Sequence, residues 1–263
     1  MDVKMREKGF LFFIFSTILF SSSAIAYTYT EDFSQGIYWQ SLPILMNKYA
    51  VNVSDGQLLQ QLVTECENEW EDATGTEIWN MPSVITGEGD GSGNFIRWSD
   101  NFSEETGYDA SVTLAVTIRY STGTYFSKVV ILLNGENRAL KQNFSGMLRQ
   151  TILHELGHTI GLGHSNESSI MYQSLTSIRH LQNDDIDGVN AAIDEMQYRQ
   201  VTGFIAPFAR EDSRNENKIL SCGTIESNSD DSGNNSFIIS LVMGLVLGFF
   251  SQLFVYMKKL PVC

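Results

Sequence analysis

Three histidines and a glutamate fall within eleven residues, His154-Glu155-Leu156-Gly157-His158-Thr159-Ile160-Gly161-Leu162-Gly163-His164. Residues four apart on a helix project from one face, so His154 and His158 can present two imidazoles to one ion. Imidazole nitrogens bind zinc at about 2.0–2.1 Å, and a catalytic site keeps one position open for water beside three protein ligands. Gly161 frees the chain to leave the helix, so that His164 can swing back as the third ligand. Glu155, next to the first ligand, can reach a metal-bound water without binding the metal, which makes it the candidate catalytic base. Each histidine taken alone would more simply be a core or surface residue. Three in this register beside Glu155 argue for a site, and His180, the fourth, reads as surface or pocket rim.

The ligands need a helix beneath them and a sheet to hold it. Ser145 can cap a helix running through Leu148, Ile152 and Leu156 to about Ile160. Upstream, a strand is expected within residues 38–53. Asp55 then reads as the N-cap of a helix reaching about Asp72, with Leu58, Leu59, Leu62, Val63, Cys66 and Trp70 on one face. Short strands are expected at 77–80 and 95–98. Between them, the Gly/Asp loop at 87–94 reads as a surface loop that could hold calcium, although it lacks the spacing of a calcium loop. Val112, Leu114, Val116 and Ile118 alternate as in a half-buried strand. The continuous apolar run at 129–133 fits an inner strand covered on both faces. Asp184, with Asp187 three residues on, can cap a last helix reaching about Tyr198.

Composition excludes some functions. A formal net charge of -14 opposes nucleic-acid binding, which needs a basic footprint, and opposes docking on anionic lipid. It favours solubility and can favour calcium or cationic substrates. Three cysteines, Cys66, Cys222 and Cys263, are too few for a disulfide scaffold, and a Cys66–Cys222 pair stays open. Residues 1–26 read as a signal peptide, with a basic start at Lys4, Arg6 and Lys8, an apolar run, and Ala24-Ile25-Ala26 before the expected cleavage point. Residues 27–205 read as one catalytic domain and 206–236 as a polar linker. Residues 237–257 carry no charge and are long enough for a transmembrane helix, or else form a sorting tail. Lys258 and Lys259 would hold residues 258–263 as a short cytoplasmic tail. The expected location is therefore outside the membrane, anchored at the cell surface or released.

The extended histidine motif, together with Ser169-Ile170-Met171-Tyr172 seven residues on at the methionine, resembles the metzincin zinc metalloproteases. Within them it is most similar to the matrixins, the matrix-metalloprotease-like group. Ser165 follows the third histidine, Tyr172 follows the methionine, and residues 181–189 are similar to the matrixin entry to the last helix. The likeness covers about residues 37–198 and is closest at 150–190. It implies an α+β, metzincin-like fold: a twisted, mostly parallel five-stranded sheet with three main helices and a zinc cleft under the edge strand. It implies a zinc-dependent endopeptidase with one catalytic zinc and Met171 in a tight turn beneath it. Peptide or protein substrates would bind extended along the edge strand at 112–120. Residues 172–181 would wall the pocket for the residue after the cut, with Tyr172, Val112 and Leu114 as pocket candidates. The chain departs from the family in showing no cysteine-switch motif ahead of the domain, too few histidines for a second zinc, and no haemopexin-like domain. Ser221-Cys222-Gly223 shares the Cys-Gly dipeptide of such switches but lies in the linker. The rival reading is a catalytically inactive peptide-binding module on the same fold; the intact ligands and Glu155 weigh against it.

Overall fold

The computed structural model describes residues 27–205 and 217–220. The signal peptide (1–26), most of the linker, the expected membrane segment (237–257) and the tail (258–263) lie outside the described residues. Among the described residues, no helix is long and apolar enough to cross a membrane. In chain order the elements are α1 (Glu31–Ser34), β1 (Ile44–Ala50), α2 (Val53–Thr74), β2 (Trp79–Asn80), β3 (Ile85–Thr86), β4 (Asn94–Ser99) and α3 (Phe102–Thr106). These are followed by β5 (Ala115–Thr122), β6 (Tyr125–Asn134), α4 (Arg138–Gln142), a π-helical turn (Phe144–Leu148), α5 (Arg149–Thr159), α6 (Asn183–Thr202) and β7 (Asn217–Leu220).

The sheet runs β2-β1-β4-β6-β5-β7, with β3 also pairing β1. The pairings of β1 with β2, β3 and β4, and of β4 with β6, are parallel, whereas β5 is antiparallel to both β6 and β7. The expected mostly parallel sheet is present, with seven strands rather than five. The two additional strands are short: β3 has two residues and β7 four, and β2, within the strand expected at 77–80, also has two. Elements this short have no periodicity to detect and exist because a neighbouring strand offers them hydrogen bonds.

The apolar run of β6 has the cause its sequence suggests. Val129, Ile131 and Leu133 pack into the main core with α2, α5 and α6 residues such as Leu59, Trp70, Ile152, Leu156 and Val189. Val130 and Leu132 face the other way, against Phe95, Phe102, Val116 and Ile118. Covering both faces removes the need for polar alternation.

Several boundaries differ from those the sequence suggests. Asn52, not Asp55, caps α2: its side chain accepts from Asp55 N at 2.8 Å. The helix bearing the ligands begins at Arg149 after a wide π turn that contains Ser145, rather than with Ser145 as its cap. Gln182 is the N-cap of α6, and its backbone N–H donates to the Asp185 carboxylate at 2.8 Å, so neither Asp184 nor Asp187 fills the capping role. Val112 lies in a turn before β5. The largest departure is at the sheet edge. The strand expected to lie open at 112–120 is flanked over Ile118–Ser121 by β7, part of the segment taken as a solvated linker. This pairing stops short of Ala115, Val116 and Thr117.

Candidate metal centre and its supports

From Gln150 to Thr159 every residue of α5 is buried. His154 and His158 lie on the same face, with Nε2 atoms 2.9 Å apart. The ring of His164 comes to 5.4 Å and 5.0 Å from theirs, centroid to centroid. One nitrogen from each of the three rings falls within 4.8 Å of the others.

The hydrogen bonds fix which nitrogens face the centre. His154 Nδ1 lies 2.8 Å from the carbonyl of Ile170, and His158 Nδ1 lies 2.7 Å from that of Leu162. A carbonyl only accepts, so each Nδ1 carries the proton and each Nε2 presents a lone pair. Two lone pairs facing each other across 2.9 Å repel, and a cation between ligand nitrogens removes the conflict. His164 Nε2 is buried with no hydrogen-bond partner among the described residues. Burial holds all three in the neutral, metal-binding form, and the neighbouring rings add to it at His154 and His158. The His154 pKa falls to about 3 and that of His164 to about 4, and that of His158 lies well below the ordinary histidine value. The residues present therefore fit a zinc ion.

Two glycines and a tether shape the turn that delivers His164. Gly161 has φ +100°, and a Cβ there would meet the Phe33 ring at 2.4 Å. Residues 28–30 run against the turn: Thr30 N donates to Gly161 O at 2.8 Å, Gly163 N to Thr28 O at 2.8 Å, and Thr28 Oγ1 to His164 O at 2.5 Å. Gly157 lets α5 pass over Met171, because a Cβ there would meet the methionine sulfur at 2.4 Å. Met171 is buried beneath the helix. Its turn is held by Asp185, whose carboxylate accepts from Ile170 N at 2.9 Å and Met171 N at 3.0 Å. Burial pushes the Asp185 carboxyl above its ordinary value, against the pull of these backbone N–H groups.

Glu155 is fully buried between α5 and β5. Its Oε2 accepts from Thr117 Oγ1 at 2.5 Å, while its Oε1 has no hydrogen-bond partner among the described residues. Burial raises the Glu155 carboxyl well above the ordinary carboxylate value, although Thr117 and Arg119 pull it down. The C-terminal end of α5 is pinned by side-chain donors. Arg119 Nη1 donates to His158 O at 3.2 Å and Trp39 Nε1 to Thr159 O at 2.7 Å, satisfying carbonyls that the helix leaves unpaired. Arg119 is itself paired with Asp32 at 2.6 Å, both side chains being almost wholly buried.

The structure thus brings His154, His158, His164, Glu155 and Met171 together. Of the pocket candidates, Tyr172 is half-buried directly after Met171, Val112 is half-buried in its turn, and Leu114 is fully buried in the core. His180 is exposed and lies 3.3 Å from Glu69. Cys66 is buried, its thiol donating to Arg149 O at 3.5 Å and its pKa pushed up by burial, while Cys222 lies outside the described residues. In the loop at 87–94, Asp90 Oδ1 already accepts from Ser92 N and Ser92 Oγ. Sequence reasoning missed Asp32, Thr117 and Arg119, and took Asp185 for an ordinary helix-entry residue. A fully buried charge or hydroxyl becomes visible only once burial is known.

A mostly parallel sheet over a helix with three convergent imidazoles, closed below by a methionine turn, defines a metzincin-type zinc metalloendopeptidase. Residues 67–192 match the Matrixin family model, so this part of the chain is similar to the matrixins. No curated protein matches it.

Proposed function

We propose that the chain is an exported endopeptidase that cleaves extracytoplasmic proteins with Glu155 as general base. The observation carrying this reading is the pairing of three metal-ready imidazoles with a buried carboxylate whose Oε1 has no hydrogen-bond partner among the described residues. Zinc held by His154, His158 and His164 would supply Lewis acidity to a water and to the scissile carbonyl. Glu155 Oε1 would take the proton as the water oxygen attacks the carbonyl carbon, and would later deliver it to the leaving amine nitrogen. Burial of Glu155 favours the protonated form it must hold between those steps. The peptide would lie extended and antiparallel along Ala115–Thr117 of β5, exchanging backbone hydrogen bonds. β7 already runs antiparallel on the same edge, one residue further on. Tyr172 and the segment to Leu181 would wall the pocket for the residue after the cut, with Val112 and Leu114 at the approach to β5.

A casein assay on the zinc-loaded full chain tests the assignment. Glu155→Ala is expected to keep one zinc and lose roughly 10²–10⁴-fold in turnover. His158→Ala is expected to lose both metal and activity. Near-normal turnover by Glu155→Ala would remove Glu155 as the base. Export and anchoring rest on the sequence of residues 1–26 and 237–257, and mass spectrometry of the mature protein checks both. An amino terminus at Tyr27 and an intact Cys263 in the membrane fraction are expected, whereas a chain ending before Phe237 would rule out a permanent anchor.

A further inference from the structure

We infer that Thr117 is a positioning residue for the reaction: its hydroxyl holds Oε2 of Glu155 and so reserves Oε1 as the oxygen that takes the proton. The inference rests on Glu155 being the base and adds a requirement outside the histidine motif.

The argument starts from side-chain alternation along β5. Val116 and Ile118 point into the smaller apolar cluster. Ala115 points the other way, into the main core, and Thr117 and Arg119 share its face by the two-residue period of a strand. An apolar β-branched residue would suit position 117 as well for strand formation and better for burial. A hydroxyl buried there without a partner costs about 1–3 kcal/mol. Among the described residues, the acceptors for this hydroxyl lie on one residue, Glu155 Oε2 at 2.5 Å and Glu155 O at 3.3 Å. One hydroxyl hydrogen serves one acceptor at a time, and the shorter contact to the carboxylate claims it.

The two partners differ in stiffness. Threonine is restricted at χ1, and Thr117 sits on a strand whose register is fixed opposite Ile131 of β6. Glutamate has three rotatable bonds and keeps several rotamers when nothing selects among them. The rigid partner therefore sets the orientation of the flexible one. With Oε2 committed, the carboxylate keeps one oxygen with no competing donor among the described residues. Preorganisation of this kind speeds the proton transfer without contributing to substrate binding.

Three variants of the full-length, zinc-loaded protein test this: Thr117→Val, which removes the hydroxyl and keeps the shape, Thr117→Ala, and Thr117→Ser, which restores the hydroxyl. The expected loss in kcat is roughly 10- to 100-fold for Thr117→Val and Thr117→Ala, as for other outer-shell partners of metal sites. KM should stay within about twofold, the pattern of a group acting only in the transition state. Zinc should remain at one per chain, and Thr117→Ser should recover most of the turnover. A second readout needs no activity. In the zinc-free protein, the losses in thermal midpoint caused by Thr117→Val and Glu155→Ala should fall short of additivity when combined, because both remove the same bond. Wild-type turnover in Thr117→Val beside an inactive Glu155→Ala would overturn the positioning role while leaving the base standing. So would equal impairment of Thr117→Ser and Thr117→Ala, or additive midpoints. If Thr117→Val does not fold, the comparison of Thr117→Ser with Thr117→Ala decides alone. Full turnover in Glu155→Ala would instead bring down the reading on which the inference rests.

Discussion

His154, Glu155 and His158 come from one helix and His164 from the turn after it, whereas the groups that hold these four in place come from α1, β5 and the entry to α6. The metal-facing side is local in sequence, and its geometry follows from helical spacing and one glycine turn. The supporting side is assembled across the chain: Asp32 and Arg119 are 87 positions apart, and Arg119 reaches His158 across 39 more. The two sides should therefore fail differently. Loss of a ligand abolishes metal binding outright. Loss of a support leaves the ligand set intact and appears first as lost stability or misplaced geometry.

The largest effect that could break this distinction is at the buried ion pair. Arg119→Met leaves Asp32 buried without its counter-charge and unpins His158 O. The expected cost is about 3–5 kcal/mol of unfolding free energy in the zinc-free protein, measured by urea denaturation. A change under about 1 kcal/mol would mean the pair is not a support, because breaking a buried pair from one side ordinarily costs far more.

Asp185→Ala comes next. It removes the acceptor for the backbone N–H groups of Ile170, Met171 and Gln182. The expected loss is about 1–3 kcal/mol, accompanied by weaker zinc retention against a chelator, since the His154 Nδ1 partner Ile170 sits in the same turn. Unchanged zinc retention at reduced stability would show that the turn supports the fold and not the metal.

A smaller effect is expected at the sheet edge. Ile219→Pro removes a backbone N–H from β7 and disfavours its pairing with β5. A substrate lying antiparallel on β5 would place its residues before the cut along Ile118–Ser121. KM for peptides long on that side should then fall a few-fold, about 1 kcal/mol or less, with kcat unchanged. The same KM in variant and parent would separate β7 from the substrate path.

The smallest expected effect is a pH dependence remote from the site. Burial raises the Glu67 carboxyl from its ordinary value of 4.5 to about 7, against the pull of Lys48. A raised carboxyl pKa means that the folded chain binds the proton more readily than the unfolded one. The resulting stabilisation is complete below about pH 4.5 and is lost as pH rises through about 7. The stability of the parent relative to Glu67→Gln should accordingly decline between pH 4.5 and 8 in urea titrations. A flat difference would mean that Glu67 titrates as an ordinary surface carboxylate.

Part of this architecture was legible residue by residue. The apolar run at 129–133 announced an inner strand because a strand covered on both faces carries no alternation. The helix face from Leu59 to Trp70 was legible because burial on one side imposes the helical period. Helix starts were less legible. Asp55 and Asn52 are both good caps, and only the backbone geometry selects Asn52. β2 falls within the short strand expected at 77–80, whereas β3 and β7 were invisible, because a single backbone pairing leaves no pattern in the side chains.

The sequence by itself determined the chemistry: three imidazoles in one register, a carboxylate beside the first and a glycine at 161, with the methionine beneath them implied by the family resemblance rather than by spacing. These are short-range relations, set by 3.6 residues per turn and by the sterics of a missing Cβ, so they can be read without a fold. Only the tertiary structure decided which donors hold that chemistry in place. Thr117 meets Glu155, Asp185 meets the Met171 turn, Arg119 meets both Asp32 and His158, and β7 covers part of the strand expected to lie open. A hydroxyl or a guanidinium can bond to any acceptor the fold brings within about 3 Å. Which acceptor that is depends on how β5 packs against α5, a relation that spacing along the chain does not encode.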